Sequence, residues 1–175
     1  MVKEFDQRNG VDYHDTFSPV IKPTTIRLVL SLAVTFHWPI RQLDVSNAFL
    51  HGILDEEVYI EQPRRLIDES KPNFVCRLHK SLYGLKQAPR AWFRRLSQQL
   101  IELGFSESKL DYSLFTLITA QHKIFVLIYV DDIIVTGSNG LTVNDFIQQL
   151  KSKFHVKDLG PINYFLGMQA TRDHT

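Results

Sequence analysis

The chain of 175 residues lacks several features that would assign it to a class of protein. Its single cysteine, Cys76, excludes an intrachain disulfide, and no Cys/His cluster has the spacing of a zinc site. No run of about 20 apolar residues predicts a membrane-spanning helix, and residues 1–6 lack the apolar segment of a secretion signal. We therefore expect an intracellular protein, in cytoplasm or nucleus, that is not secreted and has no membrane partner.

Hydrophobic residues make up 44% of the chain and aromatic residues 11%, which indicates one globular domain. The residue patterns predict helices over 23–36, 89–103 and 142–154, and strands over 40–45, 57–62, 114–119, 124–130, 133–136 and 164–168. They also predict turns at Asn9-Gly10 and Gly160-Pro161, a loop over 51–56, a helix stop at Gly104 and a pairing of strand 114–119 with strand 124–130. Thr142 and Asp145 resemble a capping box at the start of the third helix. This order predicts an α+β fold of the split β-α-β type, a small antiparallel sheet with its helices on one face.

Two adjacent acids, Asp131 and Asp132, lie between two of the predicted strands and would crown a tight hairpin. Like charges held so close raise each other's pKa, a conflict that a divalent cation removes, although Asp is also a common turn residue. Asp44 ends the predicted strand 40–45. Three acids at two strand ends can bind two ions, and carboxylate oxygen suits Mg²⁺.

Positive charge is concentrated in the middle of the chain, although the formal net charge is only +1. Seven basic residues and no acid lie between residues 70 and 101: Lys71, Arg77, Lys80, Lys86, Arg90, Arg94 and Arg95. The aromatic residues Tyr83, Trp92 and Phe93 lie among them. Cations that neutralise phosphates and rings that stack on bases fit a nucleic-acid track, and a solvated helix face is the alternative.

Three stretches carry a family resemblance: QLDVSNAFLHG at 42–52, SLYGLKQAPRAW at 81–92 and YVDD at 129–132. In this order they closely resemble the reverse transcriptase of copia-type long-terminal-repeat retrotransposons. The likeness covers nearly the whole chain. YVDD alone would be weak evidence, but several ordered motifs at family-like separations are specific.

The resemblance implies a right-hand polymerase palm that acts as an RNA-directed DNA polymerase. Such an enzyme transfers a nucleotide from a dNTP to the 3′-hydroxyl of a primer on an RNA or DNA template. By resemblance, Asp44 and Asp131 bind two Mg²⁺ or Mn²⁺ ions, and Asp132 supports this catalytic metal site. Phe49 takes the place of the family's aromatic ring beneath the incoming sugar, where it leaves no room for a 2′-hydroxyl; an ordinary core Phe is the alternative.

Further residues occupy positions where the family binds its substrates. For the template and nascent base pair they are Tyr83, Gly84 and Gln87, and for the primer end they are Leu166, Gly167 and Met168. Lys86, Arg90 and Arg94 of the basic stretch are the candidates for binding the nucleic-acid backbone. Lys157 is a candidate general acid that would protonate pyrophosphate, with a surface lysine as the alternative.

The chain also departs from the family pattern. Residues 1–20 are expected to form an arm left from truncated fingers, and 21–175 the palm with part of the fingers. The thumb, ribonuclease H and integrase are expected to be partners on the remainder of a polyprotein. Two alternatives stay open: a non-catalytic remnant that at most binds nucleic acid, and an RNA-binding module, whose sheet would display aromatic residues instead of acids.

Overall fold

The computed structural model describes residues 7–10 and 12–169, which form two compact units. One unit comprises residues 7–18 and 48–98, and the other comprises residues 19–47 and 99–169. The predicted N-terminal arm includes residues 1–6 and 11, which lie outside the described residues. Within the described part of the chain, no helix has both the length and the apolar character needed to cross a bilayer.

In chain order, the elements of the two units are α1 Pro23–Thr35, β1 Ile40–Val45, a 3₁₀ turn Ala48–His51, β2 Ile53–Glu61, β3 Val75–Lys80, α2 Ala88–Glu102, β4 Ser106–Glu107, β5 Leu114–Ile118, β6 Lys123–Tyr129, β7 Asp132–Gly137, α3 Gly140–Lys153, β8 Val156–Pro161, β9 Tyr164–Phe165 and β10 Met168–Gln169. The three predicted helices are present. The predicted α+β class is confirmed as a mixed structure with an antiparallel sheet.

The unit of residues 19–47 and 99–169 is built on a six-stranded sheet with the order β4-β5-β6-β7-β1-β8. Every pair of neighbouring strands in it is antiparallel. Strand β8 was missed, because Gly160-Pro161 indicated only a turn. Pro is tolerated in an edge strand, where one side of the backbone needs no partner, and β8 is such an edge.

Helices cover both faces of this sheet, so the prediction that they share one face is wrong. Ile134 of β7 packs in a buried cluster with Ile26 and Val29 of α1. Gly137 of the same strand approaches α3, since a Cβ built on it would lie 3.1 Å from the Val143 side chain. Residues an odd number of positions apart face opposite sides of a strand, so α1 and α3 lie on opposite faces.

The helix ends use different caps from those the sequence predicted. Asn139 accepts hydrogen bonds from the N–H groups of Leu141 and Thr142, replacing the predicted capping box of Thr142 with Asp145. Asn, whose side chain competes for backbone donors, is a preferred N-cap. At α1, the N-cap residue Lys22 makes no side-chain cap, and its own N–H donates to Asp111 at 3.0 Å instead.

The unit of residues 7–18 and 48–98 contains the antiparallel β2–β3 hairpin and most of α2. Its core is a cluster of Leu54, Val58, Leu85, Ala88 and Ala91. Strand β2 begins four residues earlier than predicted, at Ile53, so the expected loop over 51–56 is largely extended strand. The predicted Asn9-Gly10 turn is present, with Gly10 at a φ of +79°.

Candidate active site

The two adjacent acids lie at the tip of the β6–β7 hairpin. Tyr129 pairs with Asp132, which leaves Val130 and Asp131 as a two-residue turn. Val130 has a φ of +56°. Two-residue hairpins favour turns with positive φ, but a β-branched residue adopts this conformation at a cost of order 1–3 kcal/mol. Such strain persists where the surrounding structure fixes the backbone, as at many functional sites.

Strand β1 brings the third acid to this hairpin. Asp44 is the direct antiparallel partner of Asp132, and the next residue, Val45, donates its N–H to the carbonyl of Asp131 at 2.9 Å. Directly opposed residues of neighbouring strands project to the same face of the sheet. The carboxylates of Asp44 and Asp132 therefore share one face, with Asp131 in the adjoining turn.

The acids interact electrostatically. Burial raises the pKa of Asp132 above its usual range, and the negative charges of Asp131 and Asp44 raise it further. A hydrogen bond with the Gln42 side chain opposes this rise. Because both neighbouring acids act on one half-buried carboxyl, this end of the sheet favours bound positive charge.

A divalent cation fits these residues by donor chemistry. Three carboxyl groups supply the hard oxygen ligands that Mg²⁺ and Mn²⁺ bind. Among residues 7–10 and 12–169, no three His, Cys, Asp or Glu side chains lie close enough together to hold a metal ion by themselves. Mg²⁺ commonly keeps several waters and substrate phosphate oxygens as ligands, so an open carboxylate set of this kind matches its needs.

Lys157 and the predicted primer hairpin belong to the same unit as the acids. Lys157 lies in β8 as the direct partner of Asp44, on the side of β1 opposite Asp132. Strands β9 and β10 form a short hairpin whose turn residues, Leu166 and Gly167, have φ values of +47° and +82°. Positive φ at both positions is typical of the type I′ turn of two-residue hairpins.

Phe49 and Tyr83 meet in the other unit. Phe49 lies in the 3₁₀ turn, and its ring centroid is 4.8 Å from that of Tyr83. The buried Ser81 hydroxyl donates to the Phe49 carbonyl, and the Ser81 N–H donates to the Gly52 carbonyl at 2.9 Å. The Phe49 backbone is thus fixed from two sides, while Tyr83 is 50% exposed and can contact a ligand.

Gln87 and Gly84 have different local roles. Gln87 is buried, and its amide accepts from the Gln7 side chain at 2.9 Å and donates to the Asp12 carbonyl at 3.1 Å. These hydrogen bonds hold the N-terminal arm in place. The predicted contact of Gln87 with substrate therefore competes with this structural role. Gly84 has a φ of +91°, a conformation that other residues rarely adopt.

Acids from outside the basic stretch pair with several of its cations. Arg77 lies 3.1 Å from Glu57, Arg90 lies 3.3 Å from Asp15, and Arg94 bonds Asp55. The Lys86 ammonium lies 5.3 Å from the centre of the Tyr13 ring. These ion pairs are largely exposed and therefore weak, so phosphate groups can compete for the arginines.

Comparison with known proteins decides the family. The family model described as reverse transcriptase (RNA-dependent DNA polymerase) matches residues 1–175. The chain belongs to this reverse transcriptase family. This reverse transcriptase chain is 50% identical over 172 residues to the retrovirus-related Pol polyprotein from transposon RE1 of Arabidopsis thaliana, an alignment that covers 98% of the chain and 12% of that protein. The copia-type resemblance is confirmed.

Two further relatives agree. The Pol polyprotein from transposon TNT 1-94 of Nicotiana tabacum is 40% identical over 176 residues, covering 100% of the chain and 13% of that protein. The putative transposon Ty5-1 protein of Saccharomyces cerevisiae is 33% identical over 126 residues, covering 72% of the chain and 41% of that protein. No solved structure matches. The chain spans about an eighth of the length of the plant polyproteins it resembles.

Two residues of this reverse transcriptase unit escaped the sequence-based prediction. Gln42 hydrogen bonds the Asp132 side chain, and its position two residues before Asp44 in a strand could have indicated that it shares the acids' face. Asp111 is only 5% exposed and binds the start of α1. No local pattern connects Asp111 with a helix that begins so much earlier in the chain.

Proposed function

We propose that this chain forms the nucleotidyl-transfer core of an RNA-directed DNA polymerase. The observation that carries the proposal is the strand register, which sets Asp44 opposite Asp132 and ties Val45 to the Asp131 carbonyl. Membership of the reverse transcriptase family supports it. The substrates would be a dNTP and a primer on an RNA or DNA template, and the rest of a Pol polyprotein would supply the partner domains.

In this proposal residues 21–175 form the palm with part of the fingers, and residues 1–20 form the fingers arm. Asp44, Asp131 and Asp132 would hold two Mg²⁺ ions. Bound there, the ions supply positive charge that lowers the charge on the attacking 3′-hydroxyl and on the departing pyrophosphate. No Ser, Cys or His nucleophile is required, because phosphoryl transfer depends mainly on position and electrostatics.

The protein residues have three tasks in this reaction. Asp44 on β1 and Asp131 and Asp132 on the β6–β7 hairpin would orient the charged groups of the substrates. The hydrogen bond from the Val45 N–H to the Asp131 carbonyl keeps these acids in place. Phe49 would discriminate against a 2′-hydroxyl, with its backbone fixed by Ser81. Lys157, opposite Asp44, would hold a positive charge near the leaving group.

Primer extension on an RNA template tests the function directly. Asp131→Asn should abolish extension by the full chain, because it removes a ligand while keeping the shape of the turn. Asp145→Asn is the matched control, since Asp145 is an exposed acid of α3 away from the predicted site. Equal extension by wild type and Asp131→Asn, or equal loss in the two variants, would contradict the assignment.

A further inference from the structure

Edge strand β8 carries one residue more than β1 between two consecutive pairing positions. Gln42 pairs with Gly160, whereas the next residue of β1, Leu43, pairs with Asp158. Leu159 is therefore the extra residue of a β-bulge, and Gly160 beside it has a φ of +86°. The bulge shifts the pairing of residues 156–158 by one position.

The shift determines which side chain lies opposite Asp44. In the bulged register the partner of Asp44 is Lys157. Regular pairing continued from the Gln42–Gly160 pair would instead set Asp158 opposite Asp44. A fourth carboxylate would then join the three acids, and directly opposed like charges destabilise a sheet. The bulge replaces that repulsion with an opposite-charge pair.

Asp158 is held on the other face of the sheet. Its carboxylate lies 2.5 Å from the Arg41 guanidinium and accepts the Gly160 N–H at 2.9 Å. Arg41 also donates to Asn144 of α3 at 3.4 Å. Arg41 and Asp44 are an odd number of residues apart in β1, so the Arg41–Asp158 pair lies on the α3 face and the acids lie on the other.

This ion pair is partly shielded from solvent. The Arg41 side chain is 29% exposed and that of Asp158 is 15% exposed. Burial raises the pKa of Asp158, but the hydrogen bonds from Arg41 and Gly160 and the charges of Arg41 and Lys151 lower it by more, so Asp158 is ionised at neutral pH. Breaking a partly shielded ion pair leaves an uncompensated charge, which costs free energy. The pair therefore favours the strand register that keeps it intact.

We propose that the Leu159 bulge and the Arg41–Asp158 ion pair form a register lock that positions Lys157 beside Asp44. The inference rests on the proposed function, in which the Lys157 ammonium attracts the phosphate groups of the nucleotide at the acidic end of the sheet. Arg41 and Asp158 are positioning residues that act only through Lys157. Their charges never face the substrate, because they lie on the α3 side.

Cysteine crosslinking measures the register without any activity assay. In a Cys76→Ser chain, Asp44→Cys with Lys157→Cys should form a disulfide on mild oxidation, because opposed residues of antiparallel strands lie about 4.5–5.5 Å apart by Cα. Deletion of Leu159 removes the bulge, and regular pairing from Gln42–Gly160 then sets Lys157 opposite Asp44 without the ion pair. Arg41→Leu should therefore slow crosslinking about tenfold or more in the chain that contains Leu159, where a one-residue slip moves the side chain to the other face, but not in the chain that lacks Leu159. Equal slowing by Arg41→Leu with and without Leu159 would overturn the lock.

The ion pair is tested in the same chain. Arg41→Leu should slow crosslinking, and the exchange Arg41→Asp with Asp158→Arg should restore it, with folding followed by circular dichroism. Restoration shows that the pair sets the register and excludes a general loss of stability. A folded exchange variant that crosslinks no faster than Arg41→Leu would count against the ion pair as a determinant.

The functional consequence is tested by the rate of primer extension. Lys157→Gln and Asp158→Asn should lower kcat by similar factors, because the first removes the Lys157 charge and the second removes its positioning. The double variant should be no slower than either single variant. Independent, multiplying effects would overturn the positioning role. If the Asp44→Cys, Lys157→Cys chain crosslinks as expected but the wild-type chain extends no primer, the proposed function fails and the register lock stands.

Discussion

Gly52 is a position where adding one methyl group should destabilise the unit that holds Phe49. A Cβ at this residue would lie 2.6 Å from the Ser81 hydroxyl and 2.9 Å from both the carbonyl carbon and the Cβ of Ala91. The serine side chain can rotate, but the Ala91 backbone belongs to α2 and cannot. Gly52→Ala must therefore push the 3₁₀ turn away from the helix.

The expected cost follows from two opposing contributions. Overpacking a filled site costs about 1–3 kcal/mol, and loss of glycine's freedom in the unfolded chain returns about 0.4–1 kcal/mol. We expect Gly52→Ala to lower the free energy of unfolding by about 1–2 kcal/mol, which is a roughly 5- to 30-fold change in the folded-to-unfolded ratio. Gly52 and Ser81 both bond the Phe49 carbonyl, so the ring should lose its fixed position as well.

Urea unfolding followed by circular dichroism measures this change. Gly140→Ala is the matched control, because its Cβ would meet only Pro39 at an ordinary 3.8 Å and would lie at the start of α3. The control should be neutral or slightly stabilising. A Gly52→Ala chain as stable as the Gly140→Ala chain would refute the close-packing argument.

Three further predictions concern Asp111, the sugar gate and the basic residues. Asp111→Asn should cost about 1 kcal/mol at neutral pH, because the charged carboxylate accepts hydrogen bonds from Lys22 and Thr25 at the start of α1. Burial raises the pKa of Asp111, but the hydrogen bonds from Thr25, Lys22 and Ser113 lower it by more. The contribution of Asp111 to folding stability is therefore present above about pH 4 and is lost as pH falls through the folded pKa. A stability advantage of wild type over Asp111→Asn that does not shrink in acid would contradict this. Phe49→Ala should allow ribonucleotide incorporation in primer extension, whereas the control Phe17→Ala, at an exposed ring, should not; unchanged discrimination in Phe49→Ala removes the gate role. RNA binding by the chain should weaken as salt rises, and Lys86→Gln should reduce the slope of log K against log[salt] by about 1; a salt-independent affinity would exclude the basic track.

Much of the arrangement around the acids followed from local patterns. Two runs of strand-forming residues on either side of Asp131 and Asp132 predicted the β6–β7 hairpin, and Gly104 after α2 has the φ of +89° expected of a helix stop. The β5–β6 pairing was also predicted from the polar segment between these strands. In each case residues close in sequence determine the structure.

The features that the sequence did not reveal depend on contacts between distant residues. Strand β8 has little apolar character, and it is a strand because β1 offers an unpaired edge. The hydrogen bond at the start of α1 depends on Asp111, and the second helix-covered face depends on where α3 packs after β7. The acids that pair with the basic stretch come from other segments and are Asp15, Asp55 and Glu57. The count of basic residues between 70 and 101 therefore overstated the positive charge that is left without an acidic partner.

The most direct test of the acids' role is a Mn²⁺ titration of the full chain, with bound ions counted by electron paramagnetic resonance. We predict that the wild-type chain and Asp145→Asn bind two ions, whereas Asp44→Asn and Asp131→Asn each lose at least one. Equal Mn²⁺ binding by all four chains would show that these carboxylates do not form the metal site.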